Sequence, residues 1–268
     1  MLDKLVVLGT VVRTRGAATG RLAYPPAPMG LRLYVVHGSH PCAAVEKAMS
    51  IKGLSYAVTE WPPPLHAPIQ LALFGARTVP ALKLDGEKVS GSRAIMRRLE
   101  QLAPDPPLFP ADPATRARVE EAERWGDEVF QPVARELTWA GFIHSPGAMV
   151  SYSEHSRLPL PAPAIRVIAP VIARMGARLN RTDAGVARRA LEALPAQLDK
   201  IDGWVADGTI GDPERPNAAD LQLASTVRLL MTLADARPLI DGRPCAELAT
   251  ALFPDTDGAM PAGSLPAA

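Results

Sequence analysis

The tetrapeptide Ser39-His40-Pro41-Cys42 lies between a strand-like run, Leu31 to Val36, and a run with helical spacing, Pro41 to Lys52. That junction restricts the chain to folds in which a β-strand feeds directly into a helix. Serine two residues before a proline suits a helix start, where backbone N–H groups lack partners inside the helix and the macrodipole favours negative charge. A strand, a Ser-x-Pro-Cys turn and a helix therefore form an anion site. A thiolate is one such anion.

Downstream, Cys42, Val45 and Met49 share a helical stripe that Gly53 ends, and Tyr56 to Thr59 reads as a second strand. Pro62-Pro63-Pro64 cannot lie inside a helix or a central strand, and the stretch after it has no decisive period. Ala81 to Leu84 reads as a third strand, Asp85-Gly86 as a hairpin turn and Glu87 to Val89 as a fourth, with Ser92 capping a helix over Arg93 to Leu102. This order fits an α/β thioredoxin-like N-terminal domain over residues 30–103. Residues 104–112 contain four prolines and read as a linker, and Asp112-Pro113 opens a helix. Periodic segments near 114–140, 163–180, 182–206, 217–236 and 244–252 make 113–253 an all-α helical-bundle C-terminal domain. Residues 141–161 read as irregular and 254–268 as an extended tail.

A formal net charge of +1 and the lack of a basic stripe with interleaved aromatics predict neither a nucleic acid nor an anionic membrane as partner. The 268 residues contain two cysteines, Cys42 and Cys245, too few for a disulfide framework, which suits a reducing cytoplasm. Five histidines are scattered without zinc-site spacing, so no metal is expected. The apolar run Leu5 to Val12 is too short to span a bilayer, and 1–29 reads as a disordered extension or a mis-assigned start, with translation beginning at Met29.

Taken in order, Ser39-His-Pro-Cys42, Val79-Pro80, Ser92 and Asn217-Ala-Ala-Asp220-Leu make residues 31–253 resemble a cytosolic glutathione transferase with a serine-type, theta-like active-site turn. The resemblance implies a homodimeric detoxification enzyme that binds glutathione as co-substrate in the first domain and a small hydrophobic electrophile beside the second. By the same resemblance Ser39 hydrogen-bonds the glutathione sulfur, and Val79, followed by cis Pro80, pairs its backbone with the cysteinyl part. Gly91 and Ser92 stand where the γ-glutamyl group is gripped, and Asn217 to Asp220 form a capping box. His40, Trp139 and Phe142 are the candidates for the electrophile pocket.

Free thiols titrate near ~8.5, so little thiolate is present at neutral pH. A hydroxyl donating to a thiolate contributes roughly 1.5–3 kcal/mol and a helix N-terminus ~0.3–1 kcal/mol. At about 1.36 kcal/mol per unit, the two lower the thiol pKa by about 1.5 to 3 units. Read locally, Ser39 and Ser92 are ordinary helix caps, Val79-Pro80 is trans by default, and Cys42 belongs to the core. Gly91 departs from the family pattern, which has an acid there to meet the γ-glutamyl ammonium. Arg77 and His66 are alternatives for the glycyl carboxylate. The competing functions are a non-catalytic thiol- or ligand-binding protein of the same fold and a thiol-dependent reductase or peroxidase. The reductase needs an accessible, acidic Cys42.

Overall fold

A computed structural model describes residues 30–158 and 160–266. The expectations for 1–29 therefore lie outside the described residues. The chain begins with strand β1 (Arg32–Val35), helix α1 (His40–Ile51), β2 (Ala57–Glu60), α2 (His66–Phe74), β3 (Ala81–Leu84), β4 (Glu87–Ser90) and α3 (Ser92–Leu102). The four strands form one sheet in the order β2-β1-β3-β4, with β1 parallel to β2 and antiparallel to β3. Leu33 and Val35 point to the face covered by α1 and α3 and are fully or nearly buried. Tyr34 points to the other face, where Phe74 of α2 meets it edge-on at 4.9 Å.

Helices α4 (Pro113–Trp125), α5 (Gln131–His144), α6 (Ala162–Leu179), α7 (Ala184–Ala206), α8 (Ala218–Leu230), α9 (Arg237–Ile240) and α10 (Pro244–Leu252) follow. The α/β thioredoxin-like sheet followed by a helical bundle is thus observed, and no strand occurs after Ser90 among the described residues. Asp112 caps α4 by accepting the Thr115 N–H at 2.8 Å, as its position before Pro113 predicts. Asn217 and Asp220 form the expected capping box at the start of α8, and Asp220 also accepts the Gly211 N–H at 2.6 Å.

Several boundaries differ for identifiable reasons. The helix expected over 114–140 is interrupted by a π-helical turn, Gly126–Phe130. At this turn α8 comes so close that a Cβ on Gly126 would sit 2.9 Å from Leu223 Cδ2, and Pro132 removes an N–H just beyond. The helix then continues to His144, into the stretch expected to be irregular, because Gly141 lets Met260 pack against its backbone. A 3₁₀ helix, Pro146–Ser153, follows. Helix α8 stops at Leu230 because Thr232 and Ala234 pair their backbones with Met260 at 2.8 and 3.0 Å. The tail is therefore docked: Met260, Ser264 and Leu265 are buried, and Asp235 accepts the N–H groups of Gly263 and Leu265. No helix among the described residues is long and apolar enough to cross a membrane.

Candidate active site

Sheet register brings three of the sequence-expected segments together. Tyr34 lies opposite Ala81 and Ala81 opposite Ser90. One step further along each strand are Val35, Pro80 and Gly91, and the Gly91 N–H donates to the Pro80 carbonyl at 2.9 Å. The turn containing Ser39, the Val79-Pro80 dipeptide and the start of α3 therefore share one edge of the sheet. The Val79-Pro80 peptide is cis.

Ser39 occupies the N-cap position of α1, and its carbonyl accepts the Ala43 N–H at 3.0 Å. Its hydroxyl makes no capping bond, which separates it from an ordinary serine cap. That hydroxyl and the Val36 backbone are instead within hydrogen-bonding reach of the Cys42 sulfur. A neutral thiol is a weak acceptor, so a thiolate arriving at the turn outcompetes it for the Ser39 proton. Cys42 itself is 2% exposed, and burial pushes its thiol up to about 12 against the opposing effect of Ser39 and Val36. A buried thiol whose pKa is pushed up is not the accessible, acidic cysteine that the reductase reading needs.

Ser92 is corrected in one respect. It is the first residue of α3 rather than its cap, because Gly91 takes the cap position with φ +89°, where a side chain would be strained. The buried Ser92 hydroxyl donates to Gln222 Oε1 at 3.2 Å, across to α8. This bond joins residues 130 positions apart and ties the sheet edge to the helical bundle.

Of the three residues expected to line an electrophile pocket, two are in ring contact. Trp139 and Phe142 pack edge-on at 5.5 Å, Phe142 packs on Tyr152 at 4.9 Å, and Trp139 covers Gly176 of α6. The turn before His40 approaches the same aromatic cluster, since a Cβ on Gly38 would lie 3.6 Å from the Tyr152 carbonyl oxygen. His40 is buried at the first position of α1, its Nε2 has no hydrogen-bond partner, and burial together with the Arg135 charge pushes it down to about 3. It is a neutral imidazole at physiological pH. Trp125, expected in the core, stacks on Phe130 at 5.6 Å and meets Trp204 edge-on at 5.3 Å.

Other residues at the junction have no signature in the sequence. Arg135 of α5 is half-buried, and its Nη1 donates to Gln131 Oε1 at 3.2 Å; no carboxylate lies within 4 Å of it among the described residues. Asp127 stands within electrostatic reach of both Arg93 and Arg135, and burial raises its carboxyl. Glu123, fully buried on α4, binds Arg97 at 2.8 Å and Arg93 at 3.4 Å and so joins α3 to α4. The Gln131–Arg135 spacing of four is the one local signal that a helical reading offers here. On the far side of the sheet, Trp61 Nε1, His66 Nδ1 and both side-chain atoms of Gln70 are buried without partners. Arg77 is exposed. Among the described residues no group of three or more His, Cys, Asp or Glu side chains is arranged to hold a metal.

Residues 33–107 match the family model for the glutathione S-transferase N-terminal domain. Solved structures extend the likeness into the helical part. A glutathione S-transferase from Rhodospirillum rubrum F11 superposes with a TM-score of 0.57 at 24% identity, over 82% of this chain and 86% of that one. The chain has the glutathione transferase fold. The Tau class glutathione S-transferase of mango, Mangifera indica, gives a TM-score of 0.59 at 14% identity over 89% and 92% of the two chains. The beta-etherase LigF from Sphingobium sp. strain SYK-6 gives 0.56 at 21% identity over 75% and 84%. A probable maleylacetoacetate isomerase 1 of Drosophila melanogaster is 46% identical over 43 residues. That segment is 16% of this chain and 18% of the fly protein, so it compares a part and not the whole. Ser39, Pro80 and Ser92 all lie within the residues 33–107 that match the family model.

Proposed function

We propose that the protein is a glutathione-dependent transferase in which Ser39 stabilises the glutathione thiolate while that thiolate attacks a small electrophile. The convergence of the Ser39 turn, the cis Val79-Pro80 peptide and the start of α3 on one sheet edge carries the reading. The Ser39 hydroxyl, with no capping bond, is available to donate to the sulfur, and the α1 N-terminus adds a favourable field. The Val79 backbone would pair with the cysteinyl part of glutathione. The γ-glutamyl carboxylate would meet the first N–H groups of α3 at Gly91 and Ser92, and the exposed Arg77 is the candidate for the glycyl carboxylate.

In conjugation the thiolate sulfur forms a bond to an electrophilic carbon. The electron pair leaves with a departing group or passes to the adjacent carbon, which then takes a proton from solvent. The names of the relatives allow ether cleavage or isomerisation at the same thiolate, and the chemistry before the acceptor is common to all three. The reading includes a homodimer in the cytoplasm.

The test is the ultraviolet difference absorbance of the glutathione thiolate on mixing with protein across pH. A thiolate signal well below pH 8 in the wild type, absent in Ser39→Ala, is the expected result. Loss of roughly 1.5–3 kcal/mol of stabilisation predicts a rate about 10- to 150-fold lower in that variant. Calorimetric binding of glutathione with no thiolate signal would replace this reading with a non-catalytic binding protein.

A further inference from the structure

Helix α6 keeps its small side chains inside and its large ones outside. Every fourth residue from Ile165 forms the row that faces α5 and the 3₁₀ helix, and after Ile165 that row is Ala169, Ala173 and Ala177, all buried. The row two residues on is Val167, Val171, Met175 and Leu179, exposed to between 43% and 78%. Ile168 beside them is exposed as well. Single exposed apolar residues need no explanation, but five on one helix make a continuous surface of the kind that docks on a partner.

Between the buried and the exposed rows runs a third: Arg166, Pro170, Arg174 and Arg178. Its three arginines are exposed, and none forms an ion pair among the described residues; Arg174 donates to the Pro170 carbonyl of its own helix at 3.3 Å. The helix contains no acid. Of the elements packed against it, the 3₁₀ helix is uncharged and α5 contributes Arg135, Glu136 and His144. The loop before α6 has Glu154 and Arg157, and Arg157 is held by Glu46 and Glu60. After its end come Arg181, Asp183, Arg188, Arg189 and Glu192, with Asp183 capping α7. The carboxylates of Glu136, Glu154, Asp183 and Glu192 are matched in number by Arg135, Arg181, Arg188 and Arg189, which leaves Arg166, Arg174 and Arg178 unopposed.

An exposed apolar row flanked by unopposed arginines fits an anionic bilayer surface, where apolar side chains enter the acyl boundary and guanidinium groups stay with the phosphates. A second copy fits less well. Seated on the same face, it would bring the same arginines and no carboxylate of α6 to meet them. The whole-chain charge of +1, which predicts no membrane partner, averages this face with acidic residues elsewhere. We propose that α6 docks the protein on an anionic lipid bilayer, with Val167, Val171, Met175 and Leu179 entering the interface and Arg166, Arg174 and Arg178 meeting lipid phosphates. This docking does not rest on the thiol chemistry.

The experiment is co-sedimentation of the full chain with vesicles of phosphatidylcholine and phosphatidylglycerol at roughly 7:3, against phosphatidylcholine alone. Partition into the anionic vesicles should be at least about tenfold stronger at low salt, and that preference should collapse at about 0.5 M salt. Arg174→Gln and Arg178→Gln should each weaken partition about fivefold, the worth of one arginine near such a surface, and Val171→Asp at least about tenfold. All three positions are exposed, so the circular dichroism of each variant should match that of the wild type. Equal partition into the two vesicles, partition into neither, or variants that partition like the wild type would overturn the proposal. So would a smaller sedimentation coefficient for Val171→Asp in the absence of lipid, which would assign the face to a second copy.

Discussion

Lys52 offers a sharp test of how the sheet layer is locked to the helical layer. Its side chain is fully buried just after α1, and all three ammonium donors are used: Glu100 Oε2 at 2.7 Å, Ala103 O at 2.6 Å and Pro106 O at 3.0 Å. The acceptors are the last turn of α3 and the segment leading to α4, so one cation pins the connection between the layers. Lys52→Met fills similar volume but leaves two carbonyls and a carboxylate without their donor. Breaking a buried pair from one side costs about 3–5 kcal/mol. Glu100 is 20% exposed and keeps the Leu108 N–H at 3.0 Å, so the lower half of that range applies, about 3–4 kcal/mol. At roughly 2–4 °C per kcal/mol for a chain of this size, Tm should fall by about 6–16 °C. The assay is urea unfolding followed by far-ultraviolet circular dichroism and tryptophan fluorescence, whose coincidence tests two-state behaviour. Most of the loss is attributed to the stranded carboxylate, so Lys52→Met/Glu100→Gln should recover at least half of it. A cost below about 1 kcal/mol for the single variant, or no recovery in the double, would refute this reasoning.

Two further outcomes follow from packing and burial. Burial raises Asp220 to about 6 despite the bonds it accepts from Asn217 and Gly211, so the native state binds its proton more tightly than the unfolded chain does. Stability from this group is therefore lost as pH rises from about 4 through 6, by on the order of 3 kcal/mol, and Asp220→Asn should flatten that slope in urea midpoints; parallel slopes would contradict it. At Gly176 an added Cβ would lie 2.1 Å from Trp139 Cζ3. The strain should exceed the ~1 kcal/mol helix gain of alanine, so Gly176→Ala should destabilise by about 1–2 kcal/mol and shift the tryptophan emission; a stabilised variant would show that the two helices can separate.

Residues 31–103 are legible because their signals are local. A strand-turn-helix junction, a proline triplet and Asp85-Gly86 each constrain the backbone within a few positions, and β3 matches its expected range. Ser39 stands out in the sequence because the turn that would give it the proposed role is built from adjoining residues. Ser92 was only half read: its place at the start of α3 is local, whereas its partner Gln222 lies on a helix whose approach no short window reveals. Lys52 looks like a solvated residue at a helix end until Pro106 and Glu100 fold over it. The tail was misread for the same reason, since low periodicity signals an absence of helix and says nothing about docking on Asp235. Arg135 could be placed on a helix by periodicity, but its electrostatic reach to the buried His40 is a property of the assembled junction.

The buried polar atoms at that junction bear on function as well as stability. His40 Nε2, Gln131 Nε2 and Gln222 Nε2 have no protein partner. Two belong to side chains adjacent to a proposed site residue, His40 following Ser39 and Gln222 holding Ser92, and Gln131 holds Arg135, whose charge reaches His40. A buried polar atom left dry costs about 1–3 kcal/mol, so three together would consume a large part of the 5–15 kcal/mol that typically separates folded from unfolded protein. Apolar side chains of the same shape would avoid that cost, and a junction serving stability alone would contain them. The polar set is consistent with a junction that holds water or a polar ligand between the sheet edge and α5.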